Sequence, residues 1–445
     1  MDVIGCIIVN ADANITGVRS SSAGEQQRDA SYHPGKTARP VTMTHDAHLP
    51  SETGSLAPLW LLIALSSIVF IEPAPYDVLG IGLFLFLVAR GLRFPAGANK
   101  ATLLLGIYLL GNVVSSFLAP DPVATLRSLS IRIYLVLSWL MFVGLIYRNA
   151  EPVLNTIWSG YLVAGAIAVI AGIVGYFGLL PTGDLLLEND RVRAFFKDPN
   201  VFGPYLVPLV FYALARAEAA GPAGMLRWVG CFGFFAFGVL LSYSRGSWLN
   251  VGFSLLFYLG LRLWMEDSVA RRARLLGVAL VTAIIGGLII GIASGTGKIG
   301  EMLQRRAQAQ NYDLRATNGR FSNQFDVLQH VLTHPLGAYG PGGADAPMAP
   351  HNLYLHVIAE AGWIGGLAFW GFILLTIAIG WGYLRRAPPP QHAYTACFAC
   401  VLGTLVQSAF IDSTHWRHLF LLFAIVWGTA LAYRPFIAHN PRSSS

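Results

Sequence analysis

The chain has 445 residues, of which 55% are hydrophobic and only 12% are charged, and its mean hydropathy is +0.56. Because soluble domains carry about 25% charged residues, this composition excludes a soluble globular protein and indicates an integral membrane protein. The net charge of +7 is spread over the connecting segments instead of forming a basic tail, so nucleic acid is not an expected partner.

The first 50 residues differ from the rest of the chain. They are polar and rich in Ser, Ala and Asp, with one apolar patch at Val3–Val9 that is too short and too close to acidic residues for a signal peptide. We predict that residues 1–50 form a disordered extension and that residues 51–440 form a transmembrane domain. Translation from Met43 would remove most of this extension.

Repeated apolar runs, most of them roughly 16–25 residues long, indicate membrane-spanning helices and not the strands of a barrel. The runs fall at residues 56–71, 76–90, 101–118, 128–147, 153–178, 201–215, 226–243, 247–264, 274–293, 352–383, 393–411 and 418–433. The sequence therefore predicts an all-α polytopic protein with about 12 transmembrane helices.

Lysine and arginine beside the spans predict the orientation. With a cytoplasmic N-terminus, every inside connection is basic. These connections contain Arg90, Arg93 and Lys100; Arg148; Arg216 and Arg227; Arg262, Arg271, Arg272 and Arg274; and Arg385 and Arg386. The long polar segment 294–351, between spans nine and ten, then lies outside, on the periplasmic side of a bacterial inner membrane. Loops of this length with helical patterning of their own usually carry function.

Seven arginines lie on the outer side, against the orientation rule or at membrane depth. They are Arg127, Arg132, Arg191, Arg193, Arg245, Arg320 and Arg417. Any one of them can reach the headgroups or pair with a carboxylate. As a set they favour a function, because guanidinium groups bind phosphate oxygens bidentately. The expected ligand is a polyanion at the outer leaflet, such as a lipid phosphate or pyrophosphate.

Two Asp-Pro pairs predict helix starts, with the aspartate as N-cap and the proline as first helical residue. They are Asp121–Pro122 and Asp198–Pro199. A cap does not explain Asn200, which we take as a candidate substrate-binding residue. Basic residues shortly before Asp198 would make this helix start an anion site as well.

The segment GAYGPGG at residues 337–343 has no strand before it and no GK[ST] after it, so it does not predict a nucleotide-binding loop. A chain reversal towards the membrane explains its glycines better. A pair of cysteines, Cys397 and Cys400, lies within an apolar run and predicts helix packing, not redox chemistry.

His351 ends the long polar segment, and we predict that the tenth span starts at His351 or Asn352. Its ordinary pKa near 6.5 suits a general base, although a lone histidine at a helix start is more often structural. A metal site is not predicted, because His330 and His334 have suitable spacing but no third ligand is evident.

Four segments in this order resemble the O-antigen ligase and O-antigen polymerase superfamily of bacterial envelope glycosyltransferases. They are FKDPNVFGPYL, SYSRGSWL, GRF with HPLGAYGPG, and PHNLYLHVIAEAGWIGGLAF. The resemblance covers roughly residues 56–433 and includes the twelve spans and the late external loop. It implies a fold similar to GT-C-type glycosyltransferases.

The resemblance implies a donor and an acceptor. Members of the superfamily take a glycan from undecaprenyl pyrophosphate and transfer it to a sugar hydroxyl. The acceptor is lipid A–core for ligases and another lipid-linked repeat for polymerases. The quoted segments do not separate the two reactions, and neither a metal nor another cofactor is required.

The resemblance also implies residue roles. His351 matches the histidine proposed as catalytic base, and Arg245 and Arg320 match arginines that hold the pyrophosphate. Arg191 and Arg193 match only loosely, because the basic residues before the DPN segment vary in position. A transporter of an anionic lipid or solute is the alternative from another class, but no internal repeat is apparent.

Overall fold

The computed structural model describes residues 55–71, 73–181, 183–295, 297–307, 320–337, 339–343, 350–386 and 391–439. The extension predicted for residues 1–50 lies outside these ranges, as does the alternative start at Met43. Parts of the long polar segment, residues 308–319 and 344–349, lie outside them as well.

The described chain is all-α, apart from one pair of two-residue strands. In chain order the elements are α1 (Ala57–Ala64), α2 (Pro75–Ala89), α3 (Asn99–Ser116), α4 (Pro122–Arg148), α5 (Ala150–Tyr176), α6 (Gly183–Leu186), β1 (Leu187–Glu188), β2 (Arg191–Val192), α7 (Pro199–Ala219), α8 (Pro222–Leu241), α9 (Arg245–Met265), α10 (Val269–Gly295), α11 (Gly297–Ala307), α12 (Arg320–Thr333), α13 (Leu353–Arg386), α14 (His392–Gln407) and α15 (Arg417–His439).

Five of the described helices, α4, α5, α8, α9 and α13, are long and apolar enough to cross a membrane. The protein is therefore an all-α membrane protein, and the number of twelve spans stays a prediction. The first predicted run differs most from the structure. Residues 56–71 are helical only over Ala57–Ala64, which spans about 12 Å, against about 30 Å for a hydrocarbon core.

Helix α7 lies at the centre of the bundle and packs against α8, α14 and α9. Its outer end approaches the turn between α8 and α9 very closely, at Gly203. A Cβ atom at this position would overlap Ser247 Oγ and would lie 2.6 Å from Ser242 Oγ. Only glycine permits this approach, which brings the start of α7 beside the start of α9.

Helix α13 is interrupted at Gly362, whose φ of 68° and ψ of 176° are not helical. The interruption separates a short outer part, from Leu353 to Ala361, from the long remainder. Val327 and Val331 of α12 pack against Ile358 and Ala359 of this outer part. Helix α12 is thereby held on this part of α13, which we call outer after the predicted orientation.

Glycines of the 337–343 segment adopt turn conformations, and the predicted chain reversal towards the membrane stays a prediction. Gly337, Gly340 and Gly342 have φ values of 118°, 69° and 80°, in the left-handed region that favours glycine. A Cβ at Gly340 would lie 2.6 Å from Ala119 Cβ, so the turn packs closely on the chain between α3 and α4.

Candidate functional site

Arg191 connects three elements at the outer end of the bundle. Its Nε donates to Ser242 O at 3.1 Å, and its Nη2 donates to Asn200 Oδ1 at 2.8 Å. The side chain is buried, with 9% of its surface exposed. These bonds fix the guanidinium between the strand pair, the start of α7 and the turn before α9.

The strand pair places Arg191 through a tight turn. Asn189 and Asp190 have φ values of 50° and 62°, and residues of these types tolerate the left-handed conformation of a two-residue hairpin turn. Glu188 pairs with Arg191 across the strands. The chain thus reverses at Glu188, Asn189 and Asp190, and the Arg191 side chain points into the protein and not towards solvent.

Both predicted aspartate caps are confirmed. Asp198 accepts a hydrogen bond from Asn200 N at 2.7 Å, and Asp121 accepts from Val123 N at 2.9 Å and Ala124 N at 3.1 Å. The Asn200 side chain has a second role, because its Oδ1 accepts a hydrogen bond from Arg191 Nη2. Asn200 therefore orients a guanidinium group.

Arg245 is the first residue of α9, directly after a strained turn. Ser244 caps the helix by accepting from Ser247 N at 3.3 Å, and Tyr243 has a φ of 48°. Such a conformation costs free energy for a residue with a side chain and is concentrated at functional sites. Arg245 is thereby close enough for its positive charge to lower the pKa of Arg191 and of Arg306.

Three arginines influence one another electrostatically at this point. The pKa of Arg191 is lowered to about 10 by burial and by the positive charge of Arg306, with a smaller contribution from Arg245, while Asp198 and Glu188 act in the opposite direction. Burial and the charge of Arg245 also lower the pKa of Arg306. We call Arg191, Arg245 and Arg306 the arginine cluster.

Arg306 was not among the predicted site residues. It lies at the end of α11, in the long external segment, where the run Arg305–Arg306 stands against the orientation rule like the other outer arginines. The orientation rule that identifies the seven outer arginines as unusual therefore identifies Arg306 as well.

The remaining predicted arginines differ in their surroundings. Arg193 donates through Nε to Leu185 O at 3.3 Å, beside the strand pair. Arg320 is the first residue of α12, and its side chain lies outside the described part of the structure.

Two outer arginines belong to buried ion pairs. Arg417 donates two hydrogen bonds to Asp77, from Nε to Oδ1 at 2.7 Å and from Nη2 to Oδ2 at 2.6 Å. Arg132 forms an ion pair with Glu360, in which each side chain is 1% exposed. Partner carboxylates thus account for the positions of Arg132 and Arg417, as expected for arginines at membrane depth.

His351 lies just before α13, in a left-handed conformation with a φ of 45°. The predicted helix start at His351 or Asn352 is corrected to Leu353. Asn352 acts as the cap instead, because its Oδ1 accepts from Tyr354 N at 2.9 Å and from Leu355 N at 3.2 Å. His351 therefore belongs to the loop and is only partly buried.

The connection between α14 and α15 adds polar groups beside the start of α13. Leu353 N donates to Ser408 O at 2.8 Å, which joins the two segments. Burial acts to raise the pKa of Asp412, but His356, His415 and a hydrogen bond from Thr414 hold it well below its usual value. Asp412 is thus a carboxylate at neutral pH.

The fold and these contacts define an all-α membrane protein in which Arg191 and Arg245 lie at the starts of α7 and α9. The family comparison is more specific. The O-antigen ligase family model matches residues 230–370, a stretch that contains Arg245, Arg306 and His351. The match confirms the similarity to the O-antigen ligase and polymerase superfamily. No match to this chain was found among curated proteins.

Cys397 and Cys400 are buried in α14, as the packing interpretation predicts. Cys397 Sγ lies 3.8 Å from Leu422 O of the neighbouring helix α15.

Proposed function

We propose that this protein transfers a glycan from undecaprenyl pyrophosphate to a sugar hydroxyl at the periplasmic face of a bacterial inner membrane. The acceptor that we favour is lipid A–core, as in O-antigen ligation. The observation that carries the proposal is the arginine cluster, two of whose members, Arg245 and Arg306, lie within the stretch that matches the O-antigen ligase family.

The arginine cluster suits a pyrophosphate because its charges repel one another when no anion is bound. Burial and neighbouring arginines lower the pKa of Arg191 to about 10, so a bound anion would relieve an unfavourable arrangement. The Arg191 guanidinium, which is held by Asn200 Oδ1 and Ser242 O, needs little reorganisation on binding. Arg193 and Arg320 are further proposed contacts to the donor, on the basis of the family resemblance.

The proposed reaction is a displacement at the anomeric carbon. His351 takes the proton of the acceptor hydroxyl, and the acceptor oxygen forms the new glycosidic bond. The bond between the anomeric carbon and the pyrophosphate oxygen breaks, and the electron pair stays on that oxygen. The arginine cluster stabilises the developing charge. Metal and nucleotide have no role in this scheme.

Polymerisation is the second candidate, because it uses the same donor and the same chemical step with a lipid-linked glycan as acceptor. The arginine cluster serves both reactions equally, so the acceptor distinguishes them. Membrane lipids and the polyprenyl tail would contact the exposed apolar faces of the helices in either case.

The variant His351→Ala tests the proposed base. We expect glycan transfer to fall at least 100-fold, in line with the typical contribution of a general base, while the protein stays folded in the membrane. The matched control is His334→Ala, which removes an exposed histidine whose ring contacts Thr333 and His330. Normal transfer by His351→Ala would contradict the assignment.

A further inference from the structure

A buried polar network lies outside the arginine cluster, on the outer part of α13. Its centre is the carboxylate of Glu360, with 1% of the residue exposed. A buried carboxylate is costly unless it is fully paired, so its partners indicate what it holds together.

One oxygen of Glu360 faces positive and titratable groups. Oε2 forms the ion pair with Arg132 of α4, and it lies 2.8 Å from His356 Nε2 on its own helix. Arg132 also donates to Ser128 Oγ. His356 in turn lies 3.6 Å from Asp412 Oδ2. Since a buried ion pair contributes little net stability after desolvation, a structural role alone explains Glu360 poorly.

The second oxygen holds the glycine turn. Gly342 N donates to Glu360 Oε1 at 2.6 Å. Gly342 has a φ of 80°, and a Cβ there would lie 2.9 Å from Ala124 O. This position therefore requires glycine, and the amide is presented to the carboxylate by a turn that is packed tightly on α4.

The Gly342–Glu360 contact lies on both sides of His351 along the chain. His351 lies nine residues after Gly342 and nine residues before Glu360, by subtraction of the residue numbers. The Gly342–Glu360 hydrogen bond thus joins the two chain segments that flank His351. The backbone of Glu360 is fixed as well, because Ser115 Oγ donates to Glu360 O.

We propose that Glu360 is a positioning residue for His351. Its carboxylate clamps the turn at Gly342 to the outer part of α13, and the ion pair with Arg132 of α4 holds this carboxylate in place. The clamp sets the place of His351 relative to the arginine cluster, which lies on other elements. The catalytic consequence rests on the proposed function, whereas the clamp itself does not.

The first test measures the clamp without any reaction. In Glu360→Ala, we expect the backbone amides of peptides covering residues 339–343 to exchange hydrogen at least tenfold faster than in the wild-type protein, as followed by mass spectrometry. The control is Glu218→Ala. Glu218 belongs to a comparable buried cluster at the other end of α7, with Arg262 Nη2 at 2.5 Å and His392 Nδ1 at 3.4 Å. Unchanged exchange in Glu360→Ala would overturn the clamp.

The second test separates positioning from stability. We expect Glu360→Ala to lower kcat at least tenfold with less than a twofold change in KM for the lipid-linked donor. Glu360→Gln keeps an oxygen that can accept from Gly342 N, so it should recover part of the lost kcat. Equal loss of kcat in Glu360→Ala and Glu218→Ala would mean general destabilisation and would overturn the proposal.

A third variant changes the turn that donates the hydrogen bond, and not the carboxylate that accepts it. Gly342→Ala disturbs the turn and leaves Glu360 in place, and we expect the same kcat loss at nearly constant KM. Wild-type-like kcat in this variant would also overturn the proposal. If the wild-type protein itself transfers no glycan, the proposed function fails, and the exchange measurement still decides the clamp.

Discussion

At the scale of single residues, the arginines on the predicted outer side differ in their hydrogen-bond partners. Arg132 and Arg417 face buried carboxylates, whereas Arg191 is held by neutral oxygens of Ser242 and Asn200. An arginine held by neutral groups keeps its charge for a ligand. This distinction makes Arg191 a candidate for binding the pyrophosphate.

The variant Arg245→Lys tests bidentate binding within the cluster. Lysine keeps the positive charge but loses the planar fork, so transfer should fall about tenfold to 100-fold, as for the loss of one charge-assisted hydrogen bond. The control Arg385→Lys changes an exposed arginine at the inner end of α13 and should leave the transfer rate unchanged. Full activity of Arg245→Lys would show that a point charge suffices there.

Residues also show which features were predictable. Asp121 and Asp198 were recognised as caps because capping depends on neighbours within three residues. The partnership of Arg132 with Glu360 joins positions 228 residues apart, and one sequence contains no local signal for it. The start of α13 at Leu353 does have a local signal, because Asn352 precedes it and asparagine is a favoured N-cap residue.

At the scale of elements, the site depends on close helix contacts made by glycine. Gly203 lets the start of α7 meet the turn that precedes Arg245, and this contact aligns Asn200 with Arg191. Apolar runs predicted the helices well because residues buried in lipid and residues buried in protein are both apolar. It could not predict the break of α13 at Gly362, where the positive φ serves packing against residues 335 and 336.

The variant Gly203→Ala tests this contact. The added methyl group overlaps Ser247 Oγ, so we expect a loss of stability of about 1–3 kcal/mol and a loss of transfer activity. Thermal unfolding in detergent measures the first, and a transfer assay measures the second. The control Gly230→Ala lies on α8 with no atom within 4 Å of the new Cβ and should change neither quantity. A stable, active Gly203→Ala variant would disprove the need for this close approach.

At the scale of the whole molecule, the proposed site combines groups from elements that lie far apart along the chain. The arginine cluster and His351 come from segments that the charge rule places outside the membrane. Composition was sufficient to predict an all-α membrane protein, because a charged fraction of 12% is incompatible with a soluble domain. The arrangement of the site was only partly predictable, because it depends on contacts between distant helices.

The central claim is that this chain itself transfers a lipid-linked glycan. The most direct measurement adds purified protein to undecaprenyl-pyrophosphate-linked glycan, with and without lipid A–core, and follows the mass of each acceptor. We predict that lipid A–core gains the glycan and that free undecaprenyl pyrophosphate appears in equal amount. Lengthened lipid-linked glycan would mean polymerisation, and an unchanged donor with both acceptors present would contradict the account.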